Sequence, residues 1–357
     1  MPTRIDIFRK TLNQKNIDAF LVSDFYNILY LSGFKTLVDD EREAWFLVTK
    51  NNVYLFTDGR YRAPSNILRL ITPDHGLIQH LKEIIKKESI ETFGIEGDDL
   101  KFSEYQAFKN NLKAAKIITT ERLIIAQRQI KDADEIEKIK EACEIIDRCL
   151  TELRQEIKVG AGEKEIAFKI EFWLKNKGYA QAFDPIVAVD KNSAVPHYDT
   201  KSGNNIKIKN SSIILIDAGA RVKDYNSDIT RMFFVGKPKT EMLNAYNQLL
   251  DIQAKAVEKL NKEKFFKNID SFCRQQLSVA GFPSYSHSTG HGIGLQVHEY
   301  PKLSAISEDR ITPNQVVTVE PGIYFSGRWG MRIEDTVLIK EEGVEALTKF
   351  PSSFPSF

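Results

Sequence analysis

The sequence has few cysteines, almost no net charge and no long apolar run. Cys143, Cys149 and Cys273 are odd in number and lack Cys-x-x-Cys spacing, so we expect reduced thiols that serve packing in a cytoplasmic protein. A formal net charge of +1 argues against a nucleic-acid or anionic-membrane partner. No apolar stretch follows a basic start or reaches membrane length, so neither a signal peptide nor a membrane span is expected.

The length and composition are those of a globular protein with more than one core. A chain of 357 residues with 42% apolar and 28% charged residues predicts two domains. Residues 3–125 alternate short apolar runs with helical patterns, which predicts a small α/β domain whose two histidines, His75 and His80, lie at the surface. The predicted strands cover residues 19–22, 44–48, 53–56 and 92–95, and the predicted helices lie near 5–15, 76–87 and 103–113.

A second domain is predicted to begin with a long charged helix. Apolar residues fall on one face of the segment from about Asp132 to Glu156, and Lys164 to Asn176 has a second helical pattern. We place the domains at residues 1–125 and 126–357, and we assign no chemistry to the tail 351–357.

Two of the six histidines lie seven residues apart in the second domain, and His291 has glycine on both sides. Because glycine lets the backbone turn tightly, this setting predicts an imidazole presented from a bend. His291 and His298 alone do not define a metal site, since a histidine beside glycines is more often a turn residue. Carboxylates from elsewhere in the chain are required.

Two pairs of acids lie in segments that resemble hairpins. Asp217 ends an apolar run, and Asp228 precedes another, with a polar turn between them. A hairpin centred between Val222 and Lys223 would make these two acids cross-strand partners, with Cβ atoms about 5 Å apart. Carboxylates that close repel unless a cation or proton lies between them.

The second hairpin pattern lies downstream of His291. Folding the chain about Gly327 places Glu320 opposite Glu334. A single acid is usually an ordinary turn or edge residue, but acids are depleted inside strands, and four that interrupt apolar runs are harder to explain in that way. Four carboxylates and one imidazole suit divalent ions such as Mn, Co, Fe or Zn, with enough oxygen ligands for two ions.

The chain resembles the pita-bread metallopeptidases, the superfamily of methionine aminopeptidase, aminopeptidase P, prolidase and creatinase. The runs that carry the resemblance are FDPIVAVDKNSAVPHY (183–198), IDAGARVKDYNSDITR (216–231), STGHGIGLQVHE (288–299), VTVEPGIY (317–324) and MRIEDTVLI (331–339). The segments NILYLSGF (27–34) and TDGRY (57–61) resemble the creatinase-like N-terminal domain of prolidases and aminopeptidase P. The implied fold class is α/β (α+β), a creatinase-like α/β domain followed by a pita-bread catalytic domain.

The resemblance implies a dinuclear metal centre, with manganese as the expected ion and Co, Zn or Fe as alternatives. Asp217 would bind one ion, Asp228 and Glu334 would bridge, and His291 and Glu320 would bind the other.

The resemblance also implies residues that contact the substrate. His197 and His298 match the family's histidines beside the scissile peptide, where an imidazole can donate a hydrogen bond to an oxygen that gains charge. His287 is expected to line the same cleft. Arg332 is expected to hold a metal-bound carboxylate or, as the alternative, the carboxylate of the substrate. Thr230 and Thr318 are expected to support the metal ligands.

The expected reaction is hydrolysis of the bond between an N-terminal residue and proline. Divalent ions would activate water and polarise the carbonyl, and Glu320 is the candidate to carry a proton to the leaving nitrogen. We expect an Xaa-Pro aminopeptidase, with an Xaa-Pro dipeptidase (prolidase) as the alternative. Departures from the common pattern at Pro313–Val316 and at Met331 leave dipeptide versus longer substrates open.

Two other classes remain as more distant alternatives: a metal-free creatinase-like hydrolase and a non-catalytic binding module. A complete set of candidate ligands argues against both. The expected partner is a peptide with proline at the second position. The resemblance also implies a homodimer, and the cysteine usage predicts a cytoplasmic location.

Overall fold

The computed structural model describes residues 3–38, 41–62, 67–70 and 76–352. The chain divides into two compact units, Met1–Arg128 and Gln129–Phe357. Among the earlier predictions, that for His75 lies outside the described residues, as does that for tail residues 353–357. His80 is half-buried, with its ring 6.2 Å from the ring of Phe56.

The N-terminal unit is built on a mixed sheet. Its strands are β1 (Ala19–Val22), β2 (Ala44–Thr49), β3 (Val53–Thr57), β4 (Leu68–Leu70), β5 (Thr92–Glu96) and β6 (Lys116–Thr120). The strand order is β4-β3-β2-β1-β5-β6. β2 is antiparallel to both of its neighbours, β1 and β3, whereas β5 and β6 run parallel to β1. The four predicted strands are confirmed as β1, β2, β3 and β5.

Helices of the N-terminal unit pack apolar side chains against its strands. They are α1 (Arg4–Gln14), α2 (Phe25–Ser32), α3 (Gly76–Lys87), α4 (Phe102–Asn111) and α5 (Leu123–Arg128). The three predicted helices correspond to α1, α3 and α4. Leu21 of β1 and Phe93 of β5 are fully buried and share a core with Leu81 of α3. The apolar central strands are therefore covered by a helix.

The C-terminal unit places four long helices against a set of antiparallel strands. The helices are α6 (Ala133–Leu153), α7 (Glu163–Asn176), α8 (Thr240–Lys259) and α9 (Phe266–Val279). Asp132 and Glu135 form a capping box at the start of α6, and Gly162 is the N-cap of α7, so both predicted helices are confirmed.

The strands of the C-terminal unit form several small sheets. They are β7 (Ala180–Gln181), β8 (Ile186–Val189), β9 (Ile213–Ala218), β10 (Ala220–Val222), β11 (Tyr225–Asn226), β12 (Ile229–Phe234), β13 (Gly290–Gly292), β14 (Glu299–Leu303), β15 (Val316–Val319), β16 (Gly322–Phe325), β17 (Trp329–Arg332), β18 (Asp335–Ile339) and β19 (Val344–Ala346). β9 lies between β8 and β12, and a second sheet has the order β14-β13-β15-β18-β19.

Alternate residues of β9 enter two different cores. Leu215 packs in one core with residues of α8 and α9, and Ile216 packs in another with residues of α6 and α7. Because side chains alternate along a strand, Asp217 lies on the same face as Leu215. The continuous apolar run before Asp217 is therefore explained by helices on both faces of the strand.

The turn of the first hairpin lies one residue later than predicted. Lys223 and Asp224 both have left-handed backbone conformations, with φ of 49° and 71°, and Val222 pairs with Tyr225. Aspartate tolerates this conformation better than most residues, which favours Asp224 inside the turn.

This shift changes the partner of the first acid. Asp217 pairs with Thr230, so the predicted pairing of Asp217 with Asp228 is wrong by two residues. A two-residue shift keeps side chains on the same face because the side-chain period of a strand is two. Both acids therefore still belong to one face of the hairpin.

The register of the second hairpin agrees with the prediction. Gly322 pairs with Arg332 in β16 and β17, and Val319 pairs with Asp335 in β15 and β18. Both pairings place Glu320 opposite Glu334, and Gly327 at the tip has a φ of 70° that favours glycine.

His291 lies in a strand rather than in the predicted bend. β13 is buried between β14 and β15. A Cβ at Gly290 would collide with the backbone of Thr318, and one at Gly292 with the backbone of Tyr300. The two glycines therefore let neighbouring strands approach closely, which seats the imidazole in the sheet.

The three cysteines were predicted to be packing residues. Cys143, Cys149 and Cys273 are buried and unpaired, as expected for packing residues. Among the helices of the described ranges, none combines the length and the apolarity that a membrane crossing requires.

Candidate metal centre

Three predicted ligands meet in the C-terminal unit: Asp228 just before β12, His291 in β13, and Glu334 between β17 and β18. Ligand atoms of Asp228, His291 and Glu334 all lie within 4.8 Å of one another, and all three residues are buried. The Nε2 atom of His291 lies 3.7 Å from Asp228 Oδ2 and 3.3 Å from Glu320 Oε1. The two hairpin segments and β13 therefore bring these side chains together.

Hydrogen bonds of the His291 ring orient it toward these carboxylates. Its Nδ1 lies 3.1 Å from the carbonyl oxygen of Gly292. A carbonyl can only accept, so Nδ1 carries the hydrogen and Nε2 is left as the atom that faces the acids. A metal-binding histidine has this arrangement.

Several carboxylate oxygens in the cluster lack hydrogen-bond donors. Asp217 Oδ1, Asp228 Oδ1 and Glu334 Oε1 are buried and accept no hydrogen bond within the described part of the chain. Leaving a buried charged acceptor unpaired is costly, and a cation removes the cost. The donor set therefore fits divalent ions, with Asp217 and Glu320 adjoining the three residues that lie closest together.

Burial, followed by mutual repulsion, raises the pKa of two of the acids. Burial raises the pKa of Asp228 well above its usual value, with the charges of Glu334 and Asp217 adding to the effect. Burial likewise raises the pKa of Glu334, followed by the charges of Glu320 and Asp217. A cation in the cluster would oppose both shifts.

Glu320 shows the opposite behaviour. Burial acts to raise its pKa, but the hydrogen bond and charge of His291, followed by His287 and Arg332, outweigh burial and lower the pKa to about 2. Thr318 adds a hydrogen bond of 3.3 Å to Glu320 Oε1 and also accepts one of 3.1 Å from the backbone of His291. Glu320 is therefore ionised at neutral pH.

Arg332 contacts one of the carboxylates of the cluster, Asp217. Its Nη2 lies 2.6 Å from Asp217 Oδ2, and its Nε donates to Thr230 Oγ1 at 3.0 Å. Thr230 in turn donates to Glu334 Oε2 at 2.6 Å. The Nη1 atom of Arg332 donates to the hydroxyl of Tyr324 at 2.9 Å. The buried guanidinium therefore holds Asp217 directly and Glu334 through Thr230.

The remaining predicted histidines surround the cluster. The ring of His298 lies edge-on to that of His291 with centroids 4.4 Å apart, and burial lowers the pKa of His298 to about 4. The Nε2 atom of His287 lies 3.0 Å from the hydroxyl of Tyr324, and burial lowers the pKa of His287 to about 4. Both imidazoles are thus neutral at pH 7.

His197 is exposed on the segment that follows β8. The carbonyl of the preceding residue, Pro196, accepts a hydrogen bond of 3.3 Å from Arg332 Nη1. His197 also contributes to the lowered pKa of His287 and of His298, after burial and other charges. All predicted site residues therefore lie in one region of the C-terminal unit.

Some residues of this region were missed by the sequence analysis. Tyr324 ends the motif VTVEPGIY (317–324), but no role was predicted for it. Asp270 on α9 is fully buried and accepts a hydrogen bond of 2.7 Å from Thr289, while Arg274 donates to the carbonyl of His287 at 2.7 Å. The signal for Asp270 is its position in the apolar stripe of α9, between Ile269 and Cys273.

Comparisons with known proteins identify the family of each part of the chain. Residues 137–341 match the metallopeptidase family M24, and residues 4–130 match the creatinase/prolidase N-terminal domain. An Xaa-Pro dipeptidase of Pyrococcus furiosus is 34% identical, with 98% of each chain covered.

Two solved structures are similar over nearly the whole chain. One is an Xaa-Pro dipeptidase from Bacillus anthracis, with a TM-score of 0.88, 32% identity and 99% of each chain covered. The other is an X-Pro aminopeptidase from Thermotoga maritima, with a TM-score of 0.86, 33% identity, and 98% of this chain and all of that chain covered. The predicted fold class, a creatinase-like domain followed by a pita-bread catalytic domain, is confirmed. The chain is a hydrolase that belongs to metallopeptidase family M24.

Proposed function

We propose that the chain is an Xaa-Pro peptidase that uses two divalent ions, with dipeptides as its preferred substrates. The observation that carries the metal-dependent chemistry is the set of buried oxygens on Asp217, Asp228 and Glu334 that lack donors. The preference for dipeptides is supported by relatives such as the Pyrococcus furiosus and Bacillus anthracis dipeptidases. This reverses the order of the two substrates expected from the sequence.

We assign the metal ligands to Asp217, Asp228, His291, Glu320 and Glu334. Bound divalent ions would supply an activated water and polarise the carbonyl of the substrate. Arg332 and Thr230 hold Asp217 and Glu334 in place through hydrogen bonds of 2.6 Å each. A metal-free reaction on this scaffold would leave three buried carboxylate oxygens without partners, which disfavours the creatinase-like alternative.

Three residues are assigned to steps on the substrate. His197 and His298 donate hydrogen bonds to the oxygen that gains charge as the peptide carbon becomes tetrahedral. Glu320 would take up the proton that the attacking water releases and pass it to the nitrogen of proline, which must be protonated to leave. Glu320 Oε2 is the candidate atom, since it lies 3.8 Å from His287 Nδ1 and 3.9 Å from Arg332 Nε, beyond hydrogen-bond distance.

His287 and Arg332 are assigned to the walls of the substrate cleft. Arg332 donates hydrogen bonds to Asp217, Thr230, Tyr324 and the carbonyl of Pro196. These contacts favour a role in holding Asp217 over a contact with the substrate carboxylate. A contact with the substrate carboxylate stays a prediction.

The second candidate is an Xaa-Pro aminopeptidase acting on longer peptides. The similar Thermotoga maritima structure favours it. The test is release of the N-terminal residue from a matched Xaa-Pro dipeptide and Xaa-Pro-Yaa tripeptide by enzyme stripped with chelator and reloaded with Mn or Co. Cleavage of the dipeptide alone supports the first candidate, and metal-dependent cleavage of the tripeptide supports the second. Failure to bind metal overturns the site.

Three further features belong to the proposal. These are manganese as the working ion, a homodimer and a cytoplasmic location. The domain boundary at residues 125/126 also stays a prediction. Activity after reloading with different metals and light scattering of the purified protein check the first two.

A further inference from the structure

We propose that Glu163 is a positioning residue that holds the segment of residues 189–206, here called the His197 segment, in the conformation that presents His197 to the substrate. This inference rests on the proposed function for the role of His197. It does not rest on that function for the anchoring itself, which follows from contacts of the described residues.

Glu163 is fully buried, and both of its carboxylate oxygens are occupied. Oε1 accepts from the backbone of Val189 at 2.7 Å, and Oε2 accepts from the backbone of Ile206 at 2.8 Å. The amide of Asn192 donates to both oxygens at 2.9 and 3.1 Å, and the hydroxyl of Tyr198 donates to Oε2 at 3.1 Å. One side chain therefore holds both ends and the middle of the segment.

The spacing of these contacts brackets the histidine. Asn192 lies five residues before His197, and Tyr198 follows it directly. Asn192 also donates to the hydroxyl of Tyr198 at 2.8 Å, which closes the segment on itself. A Cβ at Gly203 would collide with this hydroxyl, so glycine leaves the room that the tyrosine needs.

The charge of Glu163 is stabilised without an ion pair in these contacts. Its five hydrogen bonds all come from uncharged groups, and it is the first residue of α7, where the partial positive charge of a helix N-terminus favours an anion. Hydrogen bonds to an ionised acceptor are stronger than those between neutral groups. The segment is therefore held by an acid with no evident role in the reaction.

The His197 segment also contacts β17, which carries the arginine that supports the proposed metal ligands. Ser193 accepts a hydrogen bond of 2.9 Å from the backbone of Gly330, and Pro196 accepts one from Arg332. Loosening the segment would move His197 relative to the site, while the acids themselves would keep their own contacts. We therefore expect loss of turnover without loss of metal.

The decisive substitution is Glu163→Gln, which keeps shape and removes charge. An amide nitrogen in place of either oxygen would face a backbone N–H, of Val189 or of Ile206, so neither orientation satisfies the segment. The matched control is Glu165→Gln, because Glu165 lies in the same turn of α7 but is exposed and pairs with Lys169.

The first readout does not depend on activity. Hydrogen–deuterium exchange should become at least about tenfold faster across residues 189–206 in Glu163→Gln, and trypsin should cleave faster at the exposed Lys191 and Lys201. Glu165→Gln should match the wild type. Unchanged exchange in Glu163→Gln would overturn the anchoring.

The second readout tests whether the anchoring acts through His197. Glu163→Gln should lower kcat about 10- to 100-fold, below the about 100- to 1,000-fold for loss of an oxyanion donor, with little change in KM or bound Mn. The double variant with His197→Gln should be no slower than His197→Gln alone. Losses that multiply in the double variant would overturn the positioning role.

Two further outcomes are distinguishable. If the wild type cleaves no Xaa-Pro peptide, the proposed function fails, and the exchange experiment still decides the anchoring. If Glu163→Gln does not fold, Tyr198→Phe removes one donor only and should give the same pattern with smaller changes. A Tyr198→Phe protein with unaltered exchange and kcat would count against the inference.

Discussion

Glu163 and Glu334 are both buried acids of the C-terminal unit, but their surroundings differ. Glu163 receives five hydrogen bonds from four residues. Glu334 receives one from Thr230 at Oε2, while its Oε1 is buried without a donor beside Asp228 and His291. A buried acid that stabilises the protein is surrounded by donors, whereas one placed for a cation is left with an oxygen available. The difference separates the two roles without reference to any relative.

The largest expected effect comes from neutralising an acid of the cluster. Glu334→Gln or Asp228→Asn should abolish metal binding and reduce turnover by more than the about 1,000-fold that loss of an oxyanion donor can cost. Metal content and cleavage of an Xaa-Pro dipeptide measure both. Glu341→Gln, an exposed acid beyond the end of β18, is the control. Full turnover in Glu334→Ala would refute the assigned site.

The second effect concerns the arginine that supports the cluster. Arg332→Lys keeps the charge but loses the branched donors that reach Asp217, Thr230 and Tyr324, so activity or metal affinity should fall about 10- to 100-fold. Arg328→Lys is the matched control, because Arg328 is exposed and pairs with Glu241 at 2.8 Å. Equal behaviour of the two variants would contradict the role of Arg332.

The third effect is a difference in the sign of a stability change. In chelator, Glu334→Gln should raise the unfolding temperature because it relieves repulsion, and Glu163→Gln should lower it because it leaves donors unpaired. Each change of about 1 kcal/mol corresponds to about 2–4 °C in a domain of this size. Calorimetry measures both.

Added Mn should then stabilise the wild type and Glu163→Gln but not Glu334→Gln. If both variants shifted in the same direction in chelator, the distinction between the two kinds of buried acid would be lost.

The fourth effect concerns stability and not activity, and it is confined to the N-terminal unit. Burial, followed by the charge of Asp24, raises the pKa of Glu96 from 4.5 to about 7. The folded state therefore binds a proton that the unfolded state has released between pH of about 4.5 and 7, so stability is greatest below this range and falls by up to about 3 kcal/mol as pH rises through it.

Glu96→Gln should remove this slope. Hydrogen exchange of the β1 and β5 amides at pH 5 and pH 8, corrected for intrinsic rates, measures it. Glu91→Gln, at an exposed position next to β5, should keep the slope of the wild type. A wild-type protein without any slope would show that the donors around Glu96 keep it ionised throughout.

Much of the fold follows from local patterns. The apolar runs of the N-terminal unit predicted β1, β2, β3 and β5, and the amphipathic pattern after Asp132 predicted α6. Such predictions succeed because apolar residues recur along the sequence with the period of the helix or strand that buries them. Helices α8 and α9 were not predicted.

The sequence by itself determined that acids end or interrupt apolar runs around His291, and its motifs indicated the family. Only the tertiary structure decided the partners of these residues. Asp217 pairs with Thr230 because the turn falls at Lys223 and Asp224, a choice made by backbone conformation and not by the apolar pattern. The contact of Arg332 with Asp217 joins residues that are 115 positions apart. Glu163 likewise has an ordinary helix-start sequence, and its role is visible only once the His197 segment folds over it, because hydrogen bonds between distant residues leave no periodic pattern in a sequence.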